Sequence, residues 1–170
     1  QAVGSADRFS CGGLVRAHMA IKDIAAQNNP DQKLVPSLSL DKLICGVGVS
    51  LQNGGDILCY SRTLDGYHSL CQWLSAAMMR SGHNNRALPD MHTSDLGRLS
   101  SDVIVITLPP VLADTDYREQ ARTIRLFAPG DVYVGGYLMR DGCDEERLYR
   151  FSQEAAADNL GFVALGHVLY

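Results

Sequence analysis

Two stretches of this chain hold residue types that can do chemistry. Between positions 83 and 95 stand His83, Asp90, His92 and Asp95, the imidazole and carboxylate set that binds divalent metals. Their spacing is irregular, so the stretch reads as a solvated polar loop and no metal is expected. Near the start, Cys11 follows Phe9 and Ser10 and precedes two glycines at the head of a helical pattern. A thiol at a helix N-terminus loses its proton more easily and becomes a nucleophile. Cys11 has no histidine partner in a matching strand context, however, and reads as an ordinary helix-start residue. The five cysteines, Cys11, Cys45, Cys59, Cys71 and Cys143, form no CxxC pair and no zinc spacing. They read as buried, reduced thiols of a cytoplasmic protein. Glu146 and Arg150 sit at the i,i+4 spacing of a solvated helix face.

Any such residue needs a scaffold, and 170 residues with 46% hydrophobic and 20% charged content can bury a core. The formal net charge of −4 supplies no broad basic field for nucleic acid. The apolar run 103–108 is far short of the ~20 residues that span a bilayer, and the first residues do not read as a signal peptide.

Residues 6–27 read as one helix carrying Leu14, Met19, Ile21 and Ile24, and 28–37 as a polar, proline-containing connection. Residues 42–51 form a short apolar segment that suits helix or strand equally. A regular alternation follows: strand 57–61, helix 68–80, a long polar loop 82–101 with a short strand at 86–88, and strand 103–108. Helix 116–126, strand 131–138, helix 144–160 and strand 162–169 complete it. The run 103–108 is β-branched in all but its last residue, as in a central strand covered on both faces. Strands alternating with helices imply a mostly parallel sheet flanked by helices, a three-layer α/β fold. The expected division is 1–37, an N-terminal helix and connection, and 38–170, the α/β domain.

The segment 102–116 reads DVIVITLPPVLADTD. With its double proline Pro109 and Pro110, then Val111, Leu112, Ala113, Thr115 and Asp116, it resembles the strand and loop of MinD/ParA-type P-loop ATPases. The likeness is greatest to the bacterial tyrosine kinases of polysaccharide export. Residues 57–82 resemble that family's strand, phosphate loop and first helix, and 130–170 its later strand, helix and closing strand.

The resemblance implies a degenerate P-loop fold, because the nucleotide-handling residues are replaced. A phosphate loop wraps backbone N–H groups around the phosphates and adds a lysine and a Ser/Thr for magnesium. Here its positions are Asp65, Gly66, Tyr67, His68 and Ser69. His68 stands where the lysine would be, Asp65 and Tyr67 replace glycines, and only Ser69 keeps a suitable side chain. Thr107 replaces the acidic residue before the double proline, and Tyr170 the asparagine that reads adenine.

The implied function is a non-catalytic scaffold or regulatory subunit of a bacterial envelope machine, with exopolysaccharide or cellulose secretion the first choice. No cofactor is expected. Implied partners are proteins of a membrane-associated complex, a homo- or heterodimer through the former nucleotide face among the forms the resemblance allows, with no nucleic acid and no membrane span. The implied location is cytoplasmic or peripheral at the inner membrane. The alternatives are a divergent nucleoside triphosphatase or kinase, with Asp114 or Asp116 supplying the lost carboxylate, and a nucleotide sensor without hydrolysis.

Overall fold

Val47, Val49 and Leu51 recur at every second position of one segment, and so do Ile57 and Cys59 of the next. A period of two puts all five on one face of a pleated sheet, and all five are buried. The computed structural model describes residues 2–27, 42–81, 89–109 and 117–166. Its strands are β1 (Ala2–Arg8), β2 (Lys42–Leu51), β3 (Gly55–Ser61), β4 (Val103–Thr107), β5 (Val132–Gly136) and β6 (Gly161–Ala164). The helices are α1 (Leu14–Gln27), α2 (Leu64–Arg80), α3 (Tyr117–Phe127) and α4 (Asp144–Ala157), with a 3₁₀ helix at Thr93–Arg98.

The six strands form one sheet in sequence order. β1/β2, β4/β5 and β5/β6 pair in parallel, while β2/β3 and β3/β4 are antiparallel. The mostly parallel sheet flanked by helices is the three-layer α/β class that the alternation of elements implied. The sheet curls: Leu165 and Gly166, just beyond β6, line the same cavity as Gly4 to Arg8 of β1, at the opposite end of the strand order.

The two faces differ. One face packs beneath Leu70, Trp73 and Leu74 of α2, Ala121 and Ile124 of α3, and Phe151 of α4, in one continuous apolar cluster. The other carries a small cluster of Leu58, Ile106 and Leu108, fringed by half-buried Tyr60, Tyr133 and Tyr137.

The N-terminal segment departs from the single helix expected over 6–27. Ala2–Arg8 is instead a strand paired with β2 from Ala2↔Lys42 to Arg8↔Gly48. Its sequence AVGSADR has little β-propensity, so the neighbouring strand supplies what local preference does not. The glycine pair Gly12 and Gly13 marks the turn between β1 and α1, and the ambiguous segment 42–51 is a strand. The loop expected over 82–101 contains the 3₁₀ helix, and its short strand at 86–88 lies outside the described residues, as does the connection 28–37.

Candidate functional site

The curl leaves a cavity of about 590 Å³ on the face away from α2, α3 and α4. β1 contributes Asp7 and Arg8, β2 contributes Ser50, β3 contributes Asp56 and Tyr60, and Leu108 follows β4. The register explains the gathering. Arg8 pairs with Gly48 and Ser50 pairs with Asp56, so three adjacent strands present polar side chains at one end of the sheet.

These side chains are linked. Arg8 Nη2 donates to Ser50 Oγ at 2.9 Å, and Ser50 Oγ donates to the Asp56 carboxylate. Asp7 turns to the β1–α1 connection, where its carboxylate accepts from the Gly13 N–H. Ser10 Oγ accepts from the Gly12 N–H at 2.8 Å. Between them Phe9 is held at φ 54°, the left-handed region, while its N–H donates to Gly48 O at 2.8 Å and its ring is buried. A bulky residue in that conformation is strained by about 1–3 kcal/mol and persists only where its surroundings enforce it. Such strain clusters at functional sites.

Tyr60 forms part of the wall. Its ring lies over Gly46 so closely that a Cβ there would collide with it, and burial pushes its phenol up from the ordinary value. The set offers a guanidinium to an anionic group, carboxylates to hydrogen-bond donors, and an aromatic wall. Among the described residues, no group of three or more His, Cys, Asp and Glu is placed to hold a metal ion.

The residues aligned with a phosphate loop sit elsewhere and do something else. Asp65, Gly66, Tyr67, His68 and Ser69 lie in the first turns of α2, which begins at Leu64, not in a loop. Only Arg62 and Thr63 separate β3 from α2, too few to wrap a phosphate chain. Thr63 caps the helix: its Oγ1 accepts from the Gly66 N–H at 3.1 Å and donates to Asp102 at 2.7 Å. Gly66 is small because a Cβ would stand 2.9 Å from Asp102 O, so it serves close packing of helix on chain. Ser69 Oγ accepts from the Ser100 N–H at 2.8 Å. Thr107 is buried, and its hydroxyl and carbonyl both bond the Tyr117 hydroxyl. Tyr170, Asp114, Asp116, His83 and His167 lie outside the described residues.

The polar stretch before β4 is structural. The Asp95 carboxylate accepts from the His92 N–H at 3.0 Å and pairs with Arg80 at 2.7 Å. Asp90 lies 3.3 Å from His92 and accepts from Gln52. Cys11 is not the acidic thiol that a helix N-terminus would make: burial pushes it up to about 11, with Cys71 beside it.

Sequence reasoning missed the cavity because it read the end of β1, from Ala6, as the start of a helix. The available signal was Gly12 and Gly13 directly after an alternating polar segment, a strand–turn–helix mark.

No family model matches the chain. Along its length it is similar to curated bacterial proteins named error-prone DNA polymerase. It is 26% identical over 169 residues to that of Brucella abortus biovar 1 (strain 9-941) and 27% over 173 residues to that of Bradyrhizobium sp. (strain ORS 278). It is 29% identical over 170 residues to error-prone DNA polymerase 2 of Agrobacterium fabrum (strain C58 / ATCC 33970). Each alignment takes in 99–100% of this chain but 14% of the relative.

These likenesses overturn the resemblance to MinD/ParA-type ATPases and polysaccharide-export kinases, which rested on residues 57–82, 102–116 and 130–170, with the run around Pro109 and Pro110 its most specific part. The scaffold role in exopolysaccharide or cellulose secretion falls with it, as do the divergent triphosphatase and the nucleotide sensor. The expectation of a non-catalytic protein falls too, since it was drawn from motifs of the wrong family and the relatives bear an enzyme's name. Among the described residues no helix is long and apolar enough to cross a membrane. In sum, the chain is an α/β unit with a polar-rimmed cavity, similar from end to end to about one seventh of proteins named error-prone DNA polymerase.

Proposed function

We propose that this chain is a module of a DNA-synthesising protein of the error-prone polymerase kind, with the cavity as the module's working face. The observation that carries the reading is similarity through nearly the whole chain to polymerases of several bacteria. The chain spans 14% of those relatives, so polymerisation belongs on this reading to the whole polypeptide, and this unit contributes to it.

Its net charge of −4 suits it poorly to gripping a phosphate backbone. The partners are therefore other parts of the polymerase-like assembly, with template DNA held elsewhere. A cytoplasmic location follows from the need to meet template DNA.

The test is primer extension by the natural polypeptide that carries this chain, on primed DNA with intact and damaged templates. Template-directed incorporation with frequent misinsertion supports the proposal. No incorporation by folded protein with template and all four deoxynucleoside triphosphates in excess overturns it. Arg8→Ala and Asp56→Asn then report on the cavity: lowered extension at unchanged folding supports its role, and unaltered extension removes it.

A further inference from the structure

Among the described residues the sheet has two open edges, and both border one hollow. The strand order ends at β1 on one side and at β6 on the other, and these two strands do not pair. The Phe9 N–H donates to Gly48 O of β2 at 2.8 Å. Backbone groups alternate sides along a strand, so Val3, Ser5 and Asp7 also turn theirs to β2. Gly4, Ala6 and Arg8 turn their N–H and C=O groups the other way, where no described strand meets them. At the far edge the Leu165 N–H donates to Gly136 O of β5 at 2.8 Å. By the same alternation Phe162 and Ala164 point away from β5.

The side chains agree with the backbone. Gly4 lies beneath the Tyr60 ring on the cavity face, so its neighbour Val3 faces the helix side, where it is 40% exposed. Phe162 lies near Leu148 of α4, both of them close to Gly136, and is 38% exposed. Each edge therefore leaves one large apolar side chain partly uncovered. Natural sheets blunt an open edge with lysine, proline or a bulge. From Ala2 to Ala6 β1 carries no charge and no proline, and neither does Gly161–Ala164. A curled sheet can instead abolish its edges by closing, and the two ends here already line the same cavity.

We propose that one extended segment, from a part of the natural polypeptide outside residues 1–170, lies between β1 and β6 and closes the sheet into a barrel. The inference rests on the reading of this chain as a module of a longer polymerase. The aligned region is 14% of each relative, so most of such a polypeptide is available to supply the segment. A tethered strand also reaches the gap at a high effective concentration. Its chemistry follows from the two faces. Apolar residues at alternate positions cover Val3 and Phe162, and polar residues between them enter the hollow beside Arg8 and Tyr60. Its backbone bonds Gly4, Ala6 and Arg8 on one side and Phe162 and Ala164 on the other. The cavity is then complete only when this strand adds its own side chains to the rim.

The experiment is hydrogen–deuterium exchange on the unmutated natural polypeptide, resolved to single amides. The outward amides of Gly4, Ala6, Arg8, Phe162 and Ala164 are expected to exchange more than about tenfold slower than those of an open edge. Their exchange at solvent rates, while Val3 and Ser5 stay protected by β2, overturns the proposal. A photoreactive benzoylphenylalanine in place of Val3 or of Phe162 then identifies the occupant. Crosslinks from both positions to one stretch of the same molecule outside residues 1–170 support the proposal. Crosslinks within residues 1–170, to a second molecule, or to two distant stretches overturn it. Neither readout needs DNA synthesis. Open edges in an active polymerase sink this inference alone, and protected edges in a protein that extends no primer sink only the polymerase reading.

Discussion

β3 serves two environments with alternate residues. Ile57 and Cys59 face the helices and are fully buried, in a cluster that runs through α2, α3 and α4. Asp56, Leu58 and Tyr60, the residues between, face the cavity, where Asp56 and Tyr60 keep contact with solvent. The helix face is apolar and close-packed. The cavity face holds an arginine, a carboxylate, a serine and a tyrosine within one hollow. Apolar burial at roughly 25 cal/mol per Å² accumulates on the first face, so stability concentrates there. The second face contributes less to folding and is the freer to carry polar groups for a ligand.

The sharpest test of that division is Trp73→Ala. Trp73 is 3% exposed and its Nε1 donates to Asp95 O at 3.0 Å. Its loss opens a large cavity and orphans a carbonyl, for an expected cost of about 3–5 kcal/mol in denaturant unfolding. A cost under about 1 kcal/mol would break the claim that α2 anchors the core.

Tyr117→Phe probes the same face more gently. It removes the hydroxyl that donates to Thr107 O at 3.1 Å and bonds the buried Thr107 hydroxyl, leaving Thr107 Oγ1 a 3.4 Å contact with Tyr133 O. The expected loss is about 1–2 kcal/mol, read from the shift of the denaturation midpoint at unchanged slope.

Acid unfolding locates a further contribution at the α3/α4 junction. Asp158 stands at the C-terminal end of α4, where a negative charge is unfavourable, and is held by Arg118 at 2.9 and 3.0 Å and by Arg122 at 2.7 Å. The Arg118 hydrogen bonds, then those of Arg122, hold its carboxyl well below the ordinary value of 3.8. A depressed folded-state value adds stability that is present above the unfolded value and lost as pH falls below it. The wild type therefore loses stability below about pH 4, and Asp158→Asn shows a smaller loss over that range at a lower starting stability. Parallel acid curves for the two proteins would refute the assignment.

Arg8→Ala is expected to have the smallest effect on folding, under about 1 kcal/mol, because its bond to Ser50 is exposed. A cost equal to that of Trp73→Ala would show that the cavity face bears load and erase the contrast between the two faces.

Sequence pattern made the helix face legible. The β-branched run from Val103 became β4, the acidic first turn of Asp144, Glu145 and Glu146 opened α4, and Gly130 and Asp131 led into β5. The cavity face was illegible because its residues are scattered: Arg8, Ser50 and Asp56 share no local period, and only strand register brings them together. The start of α2 was misplaced for a related reason. Thr63 becomes its cap with help from Asp102, thirty-nine positions away, so residues 65–69 turn into helix where a local reading saw a loop.

By itself, then, the sequence determined the class: alternating β and α periods, each able to bury one apolar face, commit the chain to a mostly parallel sheet flanked by helices. The tertiary structure alone decided three things. It made Ala2–Arg8 a strand, because β2 offered it a hydrogen-bonding edge that its own propensity could not replace. It curled the sheet so that residues beyond β6 reach the hollow beside β1. It also linked Arg8, Ser50 and Asp56 across three strands, a gathering that no periodicity encodes, since such meetings depend on how elements pack rather than on the order of neighbouring residues.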